Sequence, residues 1–189
     1  MMRRVALSTA IFAVAGTVTH AAGGVTSYAA DPAASRLGFT GVQAGAEFKG
    51  SFHKFNADVE FSPDALATAH IDVQIDLNSV DTMDKDRDKT IRGPDVFDIA
   101  HFPAAHYVTR SFTKTATGYS ASGALTLHGV TKDVPIEFQF VSAAGQSKIE
   151  GTAKLKRLEF GVGQGDWKST EWVKDDVKVA FSLVLKARP

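Results

Sequence analysis

The sequence contains no cysteine. That excludes a disulfide framework, thiol catalysis, iron–sulfur ligation and a haem-attachment motif. It also carries no net charge, with 21 basic residues against 21 acidic ones. No basic run is present, so neither nucleic-acid binding nor firm docking on anionic lipid is indicated. After residue 18 no apolar run approaches the roughly 20 residues that a spanning helix needs. The histidines (His20, His53, His70, His101, His106 and His128) include no i, i+4 pair of the helical zinc type. There is no G-x-S-x-G elbow, and GVGQGDW resembles a nucleotide loop only in composition. The acidic run DTMDKDRDK holds Asp81, Asp84, Asp86 and Asp88, but lacks the central Gly and terminal Glu of a calcium loop. It reads as a charged helix surface. Asp98 with His101 is the one carboxylate–histidine pair to test for chemistry. The expectation is a protein that is not an enzyme and has no metal site.

What is present begins with an export signal. Arg3 and Arg4 precede an apolar run from Val5 to Val18, and Thr19-His20-Ala21 supplies small residues at the −3 and −1 positions of a cleavage site. Residues 1–21 are therefore expected to be a cleaved signal peptide, and the working protein to be periplasmic. Residues 22–33 read as a flexible leader, and 34–189 as one domain.

That domain alternates. HIDVQIDL, residues 70–77, sends Ile71, Val73, Ile75 and Leu77 to one face and His70, Asp72, Gln74 and Asp76 to the other. HYVTRSF at 106–112, the run from Tyr119 to Leu127, Ile136–Phe138–Phe140, the run from Lys148 to Leu155 and VKVAFSLVLKA at 177–187 behave alike. EFKGSFHKFNADVEF, 47–61, reads as two strands with a bend near Lys54–Ala57. HGVTKD reads as a hairpin connection that places His128 on the outer face or rim. The parity of Leu158 and Phe160 slips at Lys156–Arg157, which reads as a β-bulge. Between 79 and 105 the period of two is lost. Asp84–Ile91 fits two helical turns capped by Asp81 or Thr82, ended by Gly93-Pro94. Phe97, Ile99 and Phe102 follow as a lid or plug.

Roughly eight strands with short turns and no βαβ spacing argue for an all-β, antiparallel, eight-stranded barrel with a short helix at one end. Closure removes the edges and brings the apolar faces inside. The inward small residues Ala121, Gly123, Gly151 and Ala153 favour an internal space. Many aromatics share the inward faces. From the residues alone, a cavity for an acyl or prenyl chain and a solid aromatic core both remain open.

Several ordered motifs resemble the YceI family of periplasmic, lipocalin-like proteins: FKGSFHKF (48–55), VDTMDKDRDKTIRGPDVFDIAHFP (80–103), LTLHGVTKDV (125–134) and LKRLEFGVG (155–163). The resemblance runs from about Ser35 to the C-terminus. It implies a tunnel for a long amphiphilic lipid, such as an isoprenoid quinone or a polyprenyl phosphate, bound as ligand with no cofactor. The ligand-binding positions it implies are Phe39, Phe48, Phe52, Phe97, Phe102, Leu125, Leu127, Phe138 and Phe181, with the helix pair Arg87 and Asp88. Many members of the family have a histidine and a leucine after that pair. Here Lys89-Thr90-Ile91 follows, so a head-group contact from that histidine is missing. The GQGDWKSTEW loop is similar to a branch associated with cytochrome b561-type membrane proteins. That implies an alternative role, docking on such an oxidoreductase with Trp167 and Trp172 as anchors. A homodimer is the other protein association carried forward.

Overall fold

The computed structural model describes residues 24–143 and 145–188. The expected signal peptide lies outside the described residues.

Twelve strands form one antiparallel sheet: β1 (Thr26–Ala30), β2 (Arg36–Gln43), β3 (Ala46–Phe52), β4 (Phe55–Phe61), β5 (His70–Asp76), β6 (Val80–Asp81), β7 (Ala104–Lys114), β8 (Tyr119–Leu127), β9 (Val130–Asp133), β10 (Ile136–Ala143), β11 (Gln146–Lys156) and β12 (Asp176–Ala187). One helix, α1 (Lys85–Arg92), lies between β6 and β7. Eight strands close a ring in the order β1-β4-β5-β7-β8-β10-β11-β12, because β12 pairs back onto β1. The expected eight-stranded barrel is therefore the fold.

Closure depends on the length of β12. One edge of β12 pairs with β11 from Ser147 to Lys156. The other edge is shared: Lys178–Ser182 pair with β2, and Leu185–Ala187 with β1. β2 carries β3 and the two-residue β6 beside it, so the sheet branches at β12.

Three expectations change. The leader is not wholly flexible, since Thr26–Ala30 is a ring strand that pairs with both β4 and β12. The phase slip after Lys156 is not a bulge. β11 ends there and a 3₁₀ turn, Arg157–Phe160, buries Arg157 and Phe160. HGVTKD is more than a connection. His128 and Gly129, with φ of 51° and 72°, make a two-residue turn, and Val130–Asp133 return along β8. β10 continues along the same edge of β8 after Pro135, which cannot donate to the ladder.

The helix cap also differs from the expectation. Asp84, not Asp81 or Thr82, accepts from the N–H groups of Asp86 (3.1 Å) and Arg87 (3.0 Å). Those bonds and the Arg87 charge hold the Asp84 carboxyl below its ordinary value. Lys89 and Arg92 complement the dipole in the last turn, and Gly93 stops the helix before Pro94.

Candidate functional site

The two ends of the barrel are filled differently. At one end Phe61, 1% exposed, is ringed by Phe112, Tyr119, Phe138 and Phe140 at centroid distances of 4.9 to 5.9 Å. This aromatic plug closes that end. Above it lies a cavity of about 530 Å³, in the size range of small-molecule sites. Its wall is apolar: Ile71, Val73, Ile75, Leu125, Leu127 and Ile149 are among the side chains lining it.

Inward glycines keep the lumen open, by a route other than the one their size suggests. They leave no gaps, because aromatic rings lie on them. A Cβ on Gly50 would come within 2.3 Å of Phe39 Cζ, and one on Gly151 within 2.5 Å of Phe181 Cζ. Gly41 seats Phe48 at 2.8 Å, and Gly123 seats Tyr107 at 2.4 Å. Phe39–Gly50, Phe48–Gly41 and Phe181–Gly151 are direct cross-strand pairs. A glycine opposite a phenylalanine lets the ring recline on the bare backbone. The wall gains aromatic surface while the barrel axis stays free.

Polar groups gather at the mouth. α1 and its cap face the cavity: Asp84, Arg87, Thr90 and Ile91 line it at i, i+3, i+6 and i+7 spacing, and Asp86 joins them in the first turn. Arg87 Nη2 lies 3.5 Å from Asp84 Oδ2, and its Nε donates to Gln43 Oε1 at 3.4 Å. The same guanidinium sits 4.7 Å from the Phe48 ring centroid, a cation–π contact. Lys174 and Trp167 complete the rim from the segment before β12.

Arg157 builds that segment. Its side chain is almost fully buried, without a carboxylate in contact. Its guanidinium donates to four main-chain carbonyls: Lys174 (3.1 Å), Val162 (3.0 Å), Ser169 (3.4 Å) and Val173 (2.8 Å). Burial pushes its pKa down, and the Asp175 charge opposes this. Gly163, at φ 101°, leaves the room, since a Cβ there would meet Arg157 Nη1 at 1.9 Å. The sequence marks this clasp only through the Gly161, Gly163 and Gly165 cluster.

Of the expected ligand-binding positions, Phe39, Phe48, Phe52, Arg87, Phe97, Leu125, Leu127 and Phe181 line the cavity. Three lie elsewhere. Phe138 belongs to the plug. Phe102 packs outside the cavity on the β8–β9 turn, 4.8 Å from the His128 ring and against Gly129. Asp88 is a buried strut whose Oδ1 accepts from Thr82 N (2.8 Å) and Thr82 Oγ1 (2.7 Å), tying α1 to the chain after β6. His128 sits in the β8–β9 turn with its ring against Phe102, and its Nε2 is buried without a hydrogen-bond partner. Asp98 and His101 contact each other at 2.8 Å, and neither lines the cavity. His106 pairs with Asp72 across the β5–β7 pair. Among the described residues no cluster of three metal-ligating side chains forms.

Residues 28–185 match the YceI-like domain. The chain belongs to the YceI-like family. Curated relatives are UPF0312 proteins, one from Yersinia pestis at 41% identity over 119 residues and one from Vibrio cholerae at 32% over 121. The chain spans 62% of the Yersinia relative's length and 64% of the Vibrio one's, and 60% of this chain is matched in each. Among solved structures, Burkholderia cenocepacia BcnA superposes with a TM-score of 0.78 at 32% identity, covering 82% of this chain and 98% of BcnA. The Campylobacter jejuni YceI protein gives 0.63 at 25%, covering 76% and 86%. A polyisoprenoid binding domain from Saccharophagus degradans, implicated in plant cell wall breakdown, gives 0.66 at 19%, covering 86% and 99%, which shows the shared fold.

Proposed function

We propose that this protein carries or sequesters one long-chain amphiphilic lipid in the periplasm. The observation that carries this reading is the cavity itself: an apolar lumen of about 530 Å³, plugged at one end, with its polar groups at the other. Each methylene moved from water into such a lumen contributes about 0.8 kcal/mol, so a long tail needs little polar recognition. The family assignment and the lipid-binding relative of the same fold support the reading. The domain is a binding protein and not an enzyme. An exported chain with the signal-like N-terminus would meet its lipid in the periplasm.

The mouth favours an isoprenoid quinone over a polyprenyl phosphate. Arg87 already shares its charge with Asp84 and gives its Nε–H to Gln43, so a phosphate would meet a guanidinium whose charge is partly offset. A quinone carbonyl is neutral and needs only a donor; the Thr90 hydroxyl is taken, since it donates to the Asp86 carbonyl at 2.9 Å, and the remaining N–H groups of Arg87 are the donors at this point. The alternative, docking on a membrane cytochrome, loses one of its two anchors, because Trp167 lines the cavity.

The test is a titration with a fluorescent prenyl or acyl probe. One probe should bind per chain, and a long-tailed quinone should displace it. A protein that binds neither probe at micromolar concentration is not a lipid carrier.

A further inference from the structure

Among the described residues, three large apolar side chains are more than half exposed: Met83 at 87%, Val141 at 57% and Trp172 at 56%. Val141 lies on β10 toward the plugged end. The other two stand on the rim of the mouth and are joined by a short run of contacts. Met83 directly precedes Asp84, and its N–H donates to Asp81 Oδ1 at 2.8 Å. Asp84 pairs with Arg87, and Arg87 with Gln43. Ala44 follows Gln43, and its N–H donates to the Trp172 carbonyl at 2.8 Å. Met83 and Trp172 therefore flank the opening through which a tail enters.

We propose that this mouth docks on a lipid bilayer of low net charge, with Met83 and Trp172 as the side chains that enter it. The proposal rests on the lipid-carrier reading. A tail that crossed open water would lose about 0.8 kcal/mol per exposed methylene, and a mouth seated on the bilayer avoids that loss. Charge favours an uncharged surface. Across α1 with its cap (84–92) and the rim segment 163–175, Lys85, Arg87, Lys89, Arg92, Lys168 and Lys174 are balanced by Asp84, Asp86, Asp88, Asp166, Glu171 and Asp175, so the face neither seeks nor repels anionic lipid. The residue types fit as well. Tryptophan prefers the headgroup interface, where its ring is buried and its N–H stays wet. Methionine adapts to irregular apolar surroundings. Two side chains are too few for the core of a stable protein–protein interface, which buries on the order of 1,000 Å². They suit shallow, reversible insertion.

The experiment is flotation of the whole exported protein with phosphatidylcholine vesicles, at low salt and at roughly half-molar salt, where surface charges are screened. The wild type should float at both. Met83→Ser with Trp172→Ser should lower the bound fraction at least about ten-fold, given the transfer energy of two large apolar groups. Val141→Ser should float like the wild type. In a Trp167→Phe background, brominated-chain phosphatidylcholine should quench Trp172 fluorescence. Absence of flotation by the wild type, its loss in high salt, or equal flotation of the double variant would overturn the proposal. Absence of flotation with bound lipid still present in the purified protein would leave the carrier reading standing. Flotation that depends on Met83 and Trp172 without any lipid affinity would remove the carrier reading alone.

Discussion

Phe39 reclines on Gly50 across the β2–β3 pair, so that a Cβ on the glycine would stand 2.3 Å from the ring. Gly50→Val must push that ring toward the barrel axis. The expected result is a loss of about 1–3 kcal/mol by overpacking, together with reduced uptake of a prenyl probe. Urea denaturation reads the first and probe titration the second. Phe39→Leu in the same chain should recover part of both, because the clashing ring is gone.

The Arg157 clasp holds the rim segment from Val162 to Lys174. Arg157→Met should destabilise the protein by about 2–3 kcal/mol, the range for lost hydrogen bonds from a charged donor. Arg157→Lys should not rescue it, since an ammonium cannot reach carbonyls arranged around a planar fork. Hydrogen exchange should show the loss concentrated at residues 161–175, with β5 and β7 unaffected. Uniform faster exchange across the barrel would count against a local clasp.

Much of this was legible in the sequence, and the failures have physical causes. HIDVQID reads as a strand because every second residue is apolar, and β5 is that strand, with Ile71 buried and Val73 and Ile75 half-buried along the lumen. TSYAA reads as part of the leader because Ala29 and Ala30 offer no contrast between faces, although β1 pairs on both sides. A parity slip after Lys156 looks the same whether the chain bulges or turns through a 3₁₀ segment. Depth along the barrel is invisible to alternation: Ile136 lines the cavity and Phe138, on the same inward face of β10, joins the plug. Arg157 carries no signal of its own in the sequence, because its partners are backbone carbonyls, which leave no trace in side-chain spacing. Asp88 reads as one more surface charge because its partner, Thr82, precedes the helix.

Acid should loosen the mouth. The Asp84 carboxyl is held below its ordinary 3.8 by the α1 backbone donors and Arg87. A depressed folded value means the ionised cap stabilises the native state fully above about 4 and is lost as pH falls through the folded value. Asp84→Ala should lower stability at neutral pH through loss of the cap, and Asp84→Asn, itself a good cap, much less. Asp84→Asn should also remove this contribution to the stability decline below pH 4, as followed by circular dichroism.

The tryptophans should respond differently to ligand. Trp167 lines the cavity, whereas Trp172 is 56% exposed. Addition of a long-tailed quinone should quench the emission of a Trp172→Phe chain and leave a Trp167→Phe chain nearly unchanged. The opposite pattern would move the ligand out of the lumen.

The lumen above the Phe61 plug is the centre of the account, and its contents can be weighed. Native mass spectrometry of protein released gently from the cells that make it should show the chain with one long-chain lipid attached. In Leu125→Trp protein, whose larger side chain enters the same space, the adduct should be absent or much reduced. A wild-type chain that carries no adduct and takes up no lipid when offered it, or a Leu125→Trp chain as fully loaded as the wild type, would contradict the lipid tail's place inside the barrel.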